Sequence, residues 1–124
     1  MALILIIEDD VEARDVLRRG MTRAGHKVIE AANGNEGLKM LEQQTVDVVI
    51  TDLIMPEKEG LETITEALEL YPDLKIIAIS GGTRLGFDSY LKIAKSLGAQ
   101  RVYSKPVDLR ELETAVQELL KNGA

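Results

Sequence analysis

Cysteine is absent from this chain of 124 residues, and tryptophan with it. Without cysteine there is no disulfide, no thiolate metal site and no cysteine nucleophile. Aromatic residues make up only 3% of the chain, too few for platforms on which bases stack. Positive charge is also in deficit. Fifteen Lys and Arg stand against 21 Asp and Glu, a net charge of −6. Nucleic-acid binding relies on Lys and Arg neutralising phosphates, so no nucleic-acid partner is expected. No apolar run approaches the roughly 20 residues that span a bilayer. The N-terminus has no basic stretch, and Glu8 to Asp10 would interrupt the apolar core of a signal peptide. A cytoplasmic protein without a membrane partner is the expectation. The lone His26 has no companions at metal-ligand spacing and reads as a surface residue.

What is present is one domain's length of chain, 45% hydrophobic. Short β-branched runs alternate with longer stretches of helical period. The runs are LILII at 3–7, KVIEA at 27–31, VDVVIT at 46–51, KIIAIS at 75–80 and RVYS at 101–104. Between them lie helical faces. Val16, Leu17, Gly20, Met21 and Ala24 form the first, and Leu38 and Leu41 mark the second. Leu61, Ile64, Leu68 and Tyr71 form the third, stopped by Pro72. Leu91, Ala94 and Leu97 form the fourth, ending at Gly98. Leu109, Leu112, Val116, Leu119 and Leu120 form the fifth, with Asp108 as N-cap and Glu111 completing a capping box. Five βα units in succession predict an α/β domain. It has a single five-stranded parallel sheet, doubly wound as (βα)5, with strands buried on both faces.

In such a sheet the functional crevice lies beyond the carboxyl ends of the strands. The first run ends in Glu8, Asp9 and Asp10, and the third in Thr51 and Asp52. The fourth ends in Ser80, and the fifth in Ser104, Lys105 and Pro106. Each residue alone has a plain explanation. An acidic pair suits a helix N-terminus, and a single lysine suits a surface. Together, two carboxylate-bearing strands, a hydroxyl and an ammonium meet at one edge. Carboxylates crowded there raise one another's pKa unless a cation is shared. A hard divalent ion such as Mg2+ suits their oxygens.

The segments IIEDD, DLIMPEKEG from Asp52, ISGG from Ile79 and YSKP from Tyr103 resemble, in this order and spacing, the receiver domain of two-component response regulators. The resemblance covers essentially the whole chain, 1–124, and implies the flavodoxin-like strand order 2-1-3-4-5. It also implies roles. Asp52 would accept a phosphoryl group, Ser80 would be the switch hydroxyl and Lys105 would contact the phosphoryl oxygens. Asp9 would ligate Mg2+ directly and Glu8 through water, with Asp52 and the backbone carbonyl of Ile54 completing the protein's ligands. Pro106 would follow a cis peptide bond, and Gly60 would let the chain turn after Asp52. Asp10 falls one position past the pair and suits a helix start. The donor would be a sensor histidine kinase or a histidine phosphotransfer protein. The domain would catalyse its own phosphorylation and a slower hydrolysis, and would signal by protein–protein contact.

Several positions depart from the family's pattern. The aromatic switch residue three before the lysine is replaced by Val102, and Tyr103 follows. One step along a strand reverses the side chain, so Tyr103 is expected on the opposite face. The stretch from Ser80 to Gly98, which includes GGTRLGFDSY at 81–90, runs about three residues longer than the family's usual length. It reads either as a tolerated surface insertion or as a partner-specific loop in which Phe87 or Tyr90 replaces the missing aromatic. Ile54 and Gly82 flank the site, and neither orients water, which predicts a long-lived phosphoryl group. Arg14, Arg18, Arg19 and Arg23 form two rows on the first helix, either a solvated face or a docking patch for the kinase. Met55 reads as loop packing.

Competing readings differ in class. A phosphatase of the haloacid-dehalogenase type also uses an aspartyl phosphate and Mg2+. It needs a second Asp two residues after the nucleophile, where this chain has Ile54. A flavodoxin-like cofactor module needs a phosphate cradle after the first strand, where EDDVEA would repel phosphate. A phosphate sink or relay without its own output, and a monomer or a weak phosphorylation-dependent dimer, both stay open. The chain ends just past the last helical face, so no output domain is expected.

Overall fold

Each apolar run forms a strand and each helical-period stretch a helix. The computed structural model describes residues 2–53, 60–80 and 87–122, and side chains throughout these except at 87–91 and 122. The elements alternate without exception: β1 Leu3–Ile7, α1 Val11–Arg23, β2 Lys27–Ala31, α2 Gly34–Gln43, β3 Val48–Asp52, α3 Gly60–Leu70, β4 Lys75–Ser80, α4 Phe87–Leu97, β5 Arg101–Ser104 and α5 Leu109–Asn122. All pairings are parallel, and the strand order is β2-β1-β3-β4-β5.

Alternation along the strands divides the core into two layers. Leu5, Ile7, Val49, Ile76 and Ala78 face α2, α3 and α4, where Leu41, Ile64, Ala67 and Ala94 meet them. Ile4, Ile6, Val48, Ile50, Ile77 and Ile79 face α1 and α5, against Leu17, Met21, Leu112, Val116 and Leu119. Burying each of the Val, Leu, Ile and Met side chains among these stabilises the fold by about 1.5–3 kcal/mol. Burial on both faces holds for β3 throughout and for nearly all of β1 and β4. It does not hold for β2 and β5, which lie at the sheet edges and are only partly covered.

The helices start where polar caps satisfy their first amides. Asp10 accepts from Glu12 N at 3.0 Å, Asn33 from Glu36 N at 2.9 Å and Asp108 from Arg110 N at 2.8 Å. Gly25 and Gly98 take φ values of 96° and 122° just past α1 and α4, a left-handed backbone that disfavours side chains. Several expectations need correction. Val16 is 52% exposed and Leu97 37%, because the buried stripes are narrower than the apolar pattern. Gly20 leaves room on α1 for Leu109 of α5 to pack close to it. The third strand starts at Val48, two residues late, because Asp47 turns its carboxylate to Leu3 N at 2.7 Å. His26 is not a free surface residue. Its Nδ1 accepts from Ala2 N at 3.3 Å, and its Nε2 is buried without a hydrogen-bond partner among the described residues. Phe87 and Tyr90 belong to α4 rather than to a loop.

Candidate functional site

The parallel register carries the predicted residues to one edge of the sheet. Ile7 lies level with Ala31 on one side and Thr51 on the other. Glu8 and Asp52 are therefore the next residues along two adjacent strands. Asp52 lies level with Ile79, and Ser80 with Ser104. Lys105 follows Ser104. Backbone hydrogen bonds extend three of the ladders by one rung: Glu8 N to Ala31 O at 3.0 Å, Leu53 N to Ile79 O at 3.0 Å and Lys105 N to Ser80 O at 2.9 Å. The functional side chains thus stand on backbone that the sheet itself holds.

Among the described residues, Glu8, Asp9 and Asp52 bring carboxylate oxygens within 4.8 Å of one another. Glu8 is 1% exposed and Asp52 7%, whereas Asp9 faces solvent. Lys105 reaches in from the end of β5. Its Nζ lies 2.6 Å from Glu8 Oε1 and 3.2 Å from Asp52 Oδ2. The second oxygen of Glu8 accepts from Asp10 N at 3.1 Å. Ser80 ends β4 fully buried. The Lys105–Pro106 peptide is cis. Thr51 donates its hydroxyl to the Asp52 carbonyl at 2.9 Å.

The electrostatics follow from burial. Burial pushes the Glu8 carboxyl above its ordinary value of 4.5; nearby Asp52 adds to this, while the Lys105 and Asp10 hydrogen bonds oppose it. Burial works against the charge on Lys105, yet the Glu8 hydrogen bond and the charge of Asp52 overcome it and raise the ammonium above 10.5. Lys105 thus stays cationic. Lys105 contacts two of the three carboxylates, but its single positive charge offsets only one, and negative charge is left over. Such an all-oxygen donor set suits a hard divalent cation.

Gly60 begins α3 and its amide donates to Leu53 O at 2.9 Å. A Cβ there would collide with the Asp52 carbonyl and stand 2.6 Å from Leu53 Cα. This close backbone approach requires the glycine. Ile54 and Met55, and Gly82 with the rest of 81–86, lie outside the described residues. The side chains of Phe87 and Tyr90 lie outside them as well. Asp10, the acid one past the pair, caps α1. Val102 packs with the α2–α3–α4 layer and Tyr103 with the α1–α5 layer, so the two do face oppositely.

The arginine rows are mostly engaged. Arg18 and Arg19 both pair with Asp15, the latter at 2.9 Å, and the Arg18 hydrogen bond holds the Asp15 carboxyl below its ordinary value. Arg14 was legible only as part of these rows. In the structure it turns back to the strand end, where its NH1 donates to the Glu8 carbonyl at 2.8 Å. A cavity of about 670 Å³ opens at the opposite end of the sheet, between the α2–β3 and α3–β4 connections. None of the predicted site residues lines it.

Residues 4–117 match the family model of the response regulator receiver domain. The response regulator receiver protein CpdR of Brucella abortus (strain 2308) is 32% identical over 120 residues, covering 97% of this chain and 98% of that protein. The sensor kinase CckA of the same organism is 35% identical over 126 residues, covering 97% of this chain but only 13% of the kinase. Among solved structures, a CheY-like response regulator receiver domain protein from Methanospirillum hungatei JF-1 superposes with a TM-score of 0.90. It is 28% identical over 99% of this chain and 96% of that one. The chain belongs to the response regulator receiver domain family of two-component systems. Receiver domains generally bind Mg2+ at an acidic pocket and interact with histidine kinases, and this chain has an acidic cluster of Glu8, Asp9 and Asp52. Among the described residues no helix is long and apolar enough to cross a membrane.

Proposed function

We propose that Asp52 accepts a phosphoryl group from a phosphohistidine on a sensor kinase or phosphotransfer protein, and that the phosphorylated domain, 1–124, signals in the cytoplasm by protein–protein contact. The observation that carries this reading is the buried Asp52 carboxylate, held at 3.2 Å by Lys105 beside two further carboxylates. A carboxylate oxygen of Asp52 attacks phosphorus, the phosphorus–nitrogen bond breaks and its electrons leave with the imidazole. Glu8, Asp9, Asp52 and the Ile54 carbonyl would hold Mg2+, which when bound neutralises charge on the phosphoryl oxygens.

The chain's own residues supply the rest. Lys105 has its ammonium poised between Glu8 and Asp52, and can exchange a carboxylate for a phosphoryl oxygen as the negative charge moves outward. The hydroxyl of Ser80, at the end of the neighbouring strand, can donate to another. Positioning and charge neutralisation are what phosphoryl transfer chiefly needs. With Val102 in the family's aromatic position, the signal reaches the surface without that aromatic.

Intact mass after incubation with acetyl phosphate tests the reading. One phosphoryl adduct is expected on the wild type with Mg2+, none without Mg2+ and none on Asp52→Asn. An adduct that persists on Asp52→Asn would move the acceptor elsewhere.

A further inference from the structure

Asp9 is the exposed member of the acidic cluster, so what aims its carboxylate must be its backbone. The peptides on either side of it are both held. The Asp9–Asp10 peptide is held by Glu8, whose Oε2 accepts from Asp10 N at 3.1 Å. The Glu8–Asp9 peptide is held by Arg14, whose NH1 donates to Glu8 O at 2.8 Å. Arg14 sits in the first turn of α1, where side chains lean back toward the helix N-terminus. Its own amide donates to Asp10 O at 2.9 Å, which fixes the helix against the same strand end. Its Nε lies 3.5 Å from Glu30 Oε1, near the end of β2, which pins the guanidinium from the other side. The Arg14 side chain is 20% exposed, that of Glu30 38%. A planar fork meets the two acceptors through two different nitrogens held in fixed geometry, whereas an ammonium has one nitrogen to place.

We propose that Arg14 is a positioning residue for the cation site: by holding the Glu8 carbonyl it sets the Glu8–Asp9 peptide and so aims the Asp9 carboxylate at the cation. The inference rests on the reading of Glu8, Asp9 and Asp52 as Mg2+ ligands. Arg14 itself touches neither cation nor phosphoryl group. Partners that orient metal ligands typically change affinity by about 10–100-fold when removed.

Calorimetric titration of the unphosphorylated protein with Mg2+ tests it, alongside circular dichroism and thermal melting. Arg14→Ala is expected to weaken Mg2+ binding about tenfold, with the acetyl phosphate reaction recovering at saturating Mg2+. Arg14→Lys, which keeps the charge but places it on a single nitrogen, is expected to fall between the two. Glu30→Ala, which spares the carbonyl contact but releases the guanidinium on its other side, is expected to weaken Mg2+ binding less than Arg14→Ala does. Wild-type affinity in a folded Arg14→Ala or Arg14→Gln protein overturns the positioning role. So does a rate that stays low at saturating Mg2+, since aim alone would be rescued. Should the wild type itself bind no Mg2+, or Asp9→Asn bind it equally well, the ligand assignment fails instead.

Discussion

At Glu8, burial and charge conflict. The carboxyl is almost fully enclosed, and its pKa is raised above 4.5 by that enclosure in spite of Lys105. As pH rises through 4.5 the unfolded chain loses this proton first. Folding stability therefore falls until the folded group has also titrated, and the loss persists at neutral pH. Lys105 follows the same sign in a higher window: its raised pKa stabilises the fold below 10.5, and that contribution is lost only as alkali removes the proton. Metal-free Glu8→Gln is therefore expected to melt a few degrees above the wild type at neutral pH. The gap should close below about pH 4, where both side chains are neutral. Thermal melts in a chelator across this range check it; a variant less stable than the wild type at neutral pH would refute the burial argument. A divalent cation at this cluster would offset the cost of the buried carboxylate charge.

Among the elements, α1 shows how a helix selects its face. Val16 and Leu17 are neighbours in an apolar stretch, yet Leu17 is 5% exposed and Val16 52%. The stripe runs through Leu17, Gly20 and Met21. Leu17→Ala should cost about 2–5 kcal/mol, whereas Val16→Ala should stay within about 0.5 kcal/mol. Urea denaturation of both variants measures this, and equal losses would mean that Val16 is covered in solution. The same helix carries Asp10 at its start and Arg14 one turn in, so its packing and the geometry of the acidic site are set together. Its outward arginines are a different matter. Asp15 pairs with two of them.

For the whole molecule, burial is graded across the sheet. The strands β1, β3 and β4 occupy the centre and β2 and β5 the edges. Local opening exposes the least-buried hydrogen bonds first. Hydrogen exchange is therefore expected to be slowest for amides of β1, β3 and β4 and faster in β2 and β5. Uniform protection across all five strands would contradict this gradient. The site straddles both regimes: Glu8, Asp52 and Ser80 follow or end central strands, and Lys105 follows an edge strand.

The sequence by itself determined the alternation of five strands and five helices, because period-2 and period-3.6 apolar patterns and the caps at Asp108 and Gly98 are local properties of the chain. It also put Glu8, Asp9, Asp52, Ser80 and Lys105 at strand ends, since each directly follows or closes an apolar run. The strand order came from family resemblance, because nothing local says which strands are neighbours. Tertiary structure alone decided which apolar residues are covered, turning Val16 and Leu97 outward and Leu17 inward. It likewise decided that Gly60 is needed for a close approach to Asp52, that Asp47 secures Leu3, and that Arg14 holds the Glu8 carbonyl. Each of these is a contact across the fold. Such contacts depend on the distance between elements, and a one-dimensional pattern does not contain that distance.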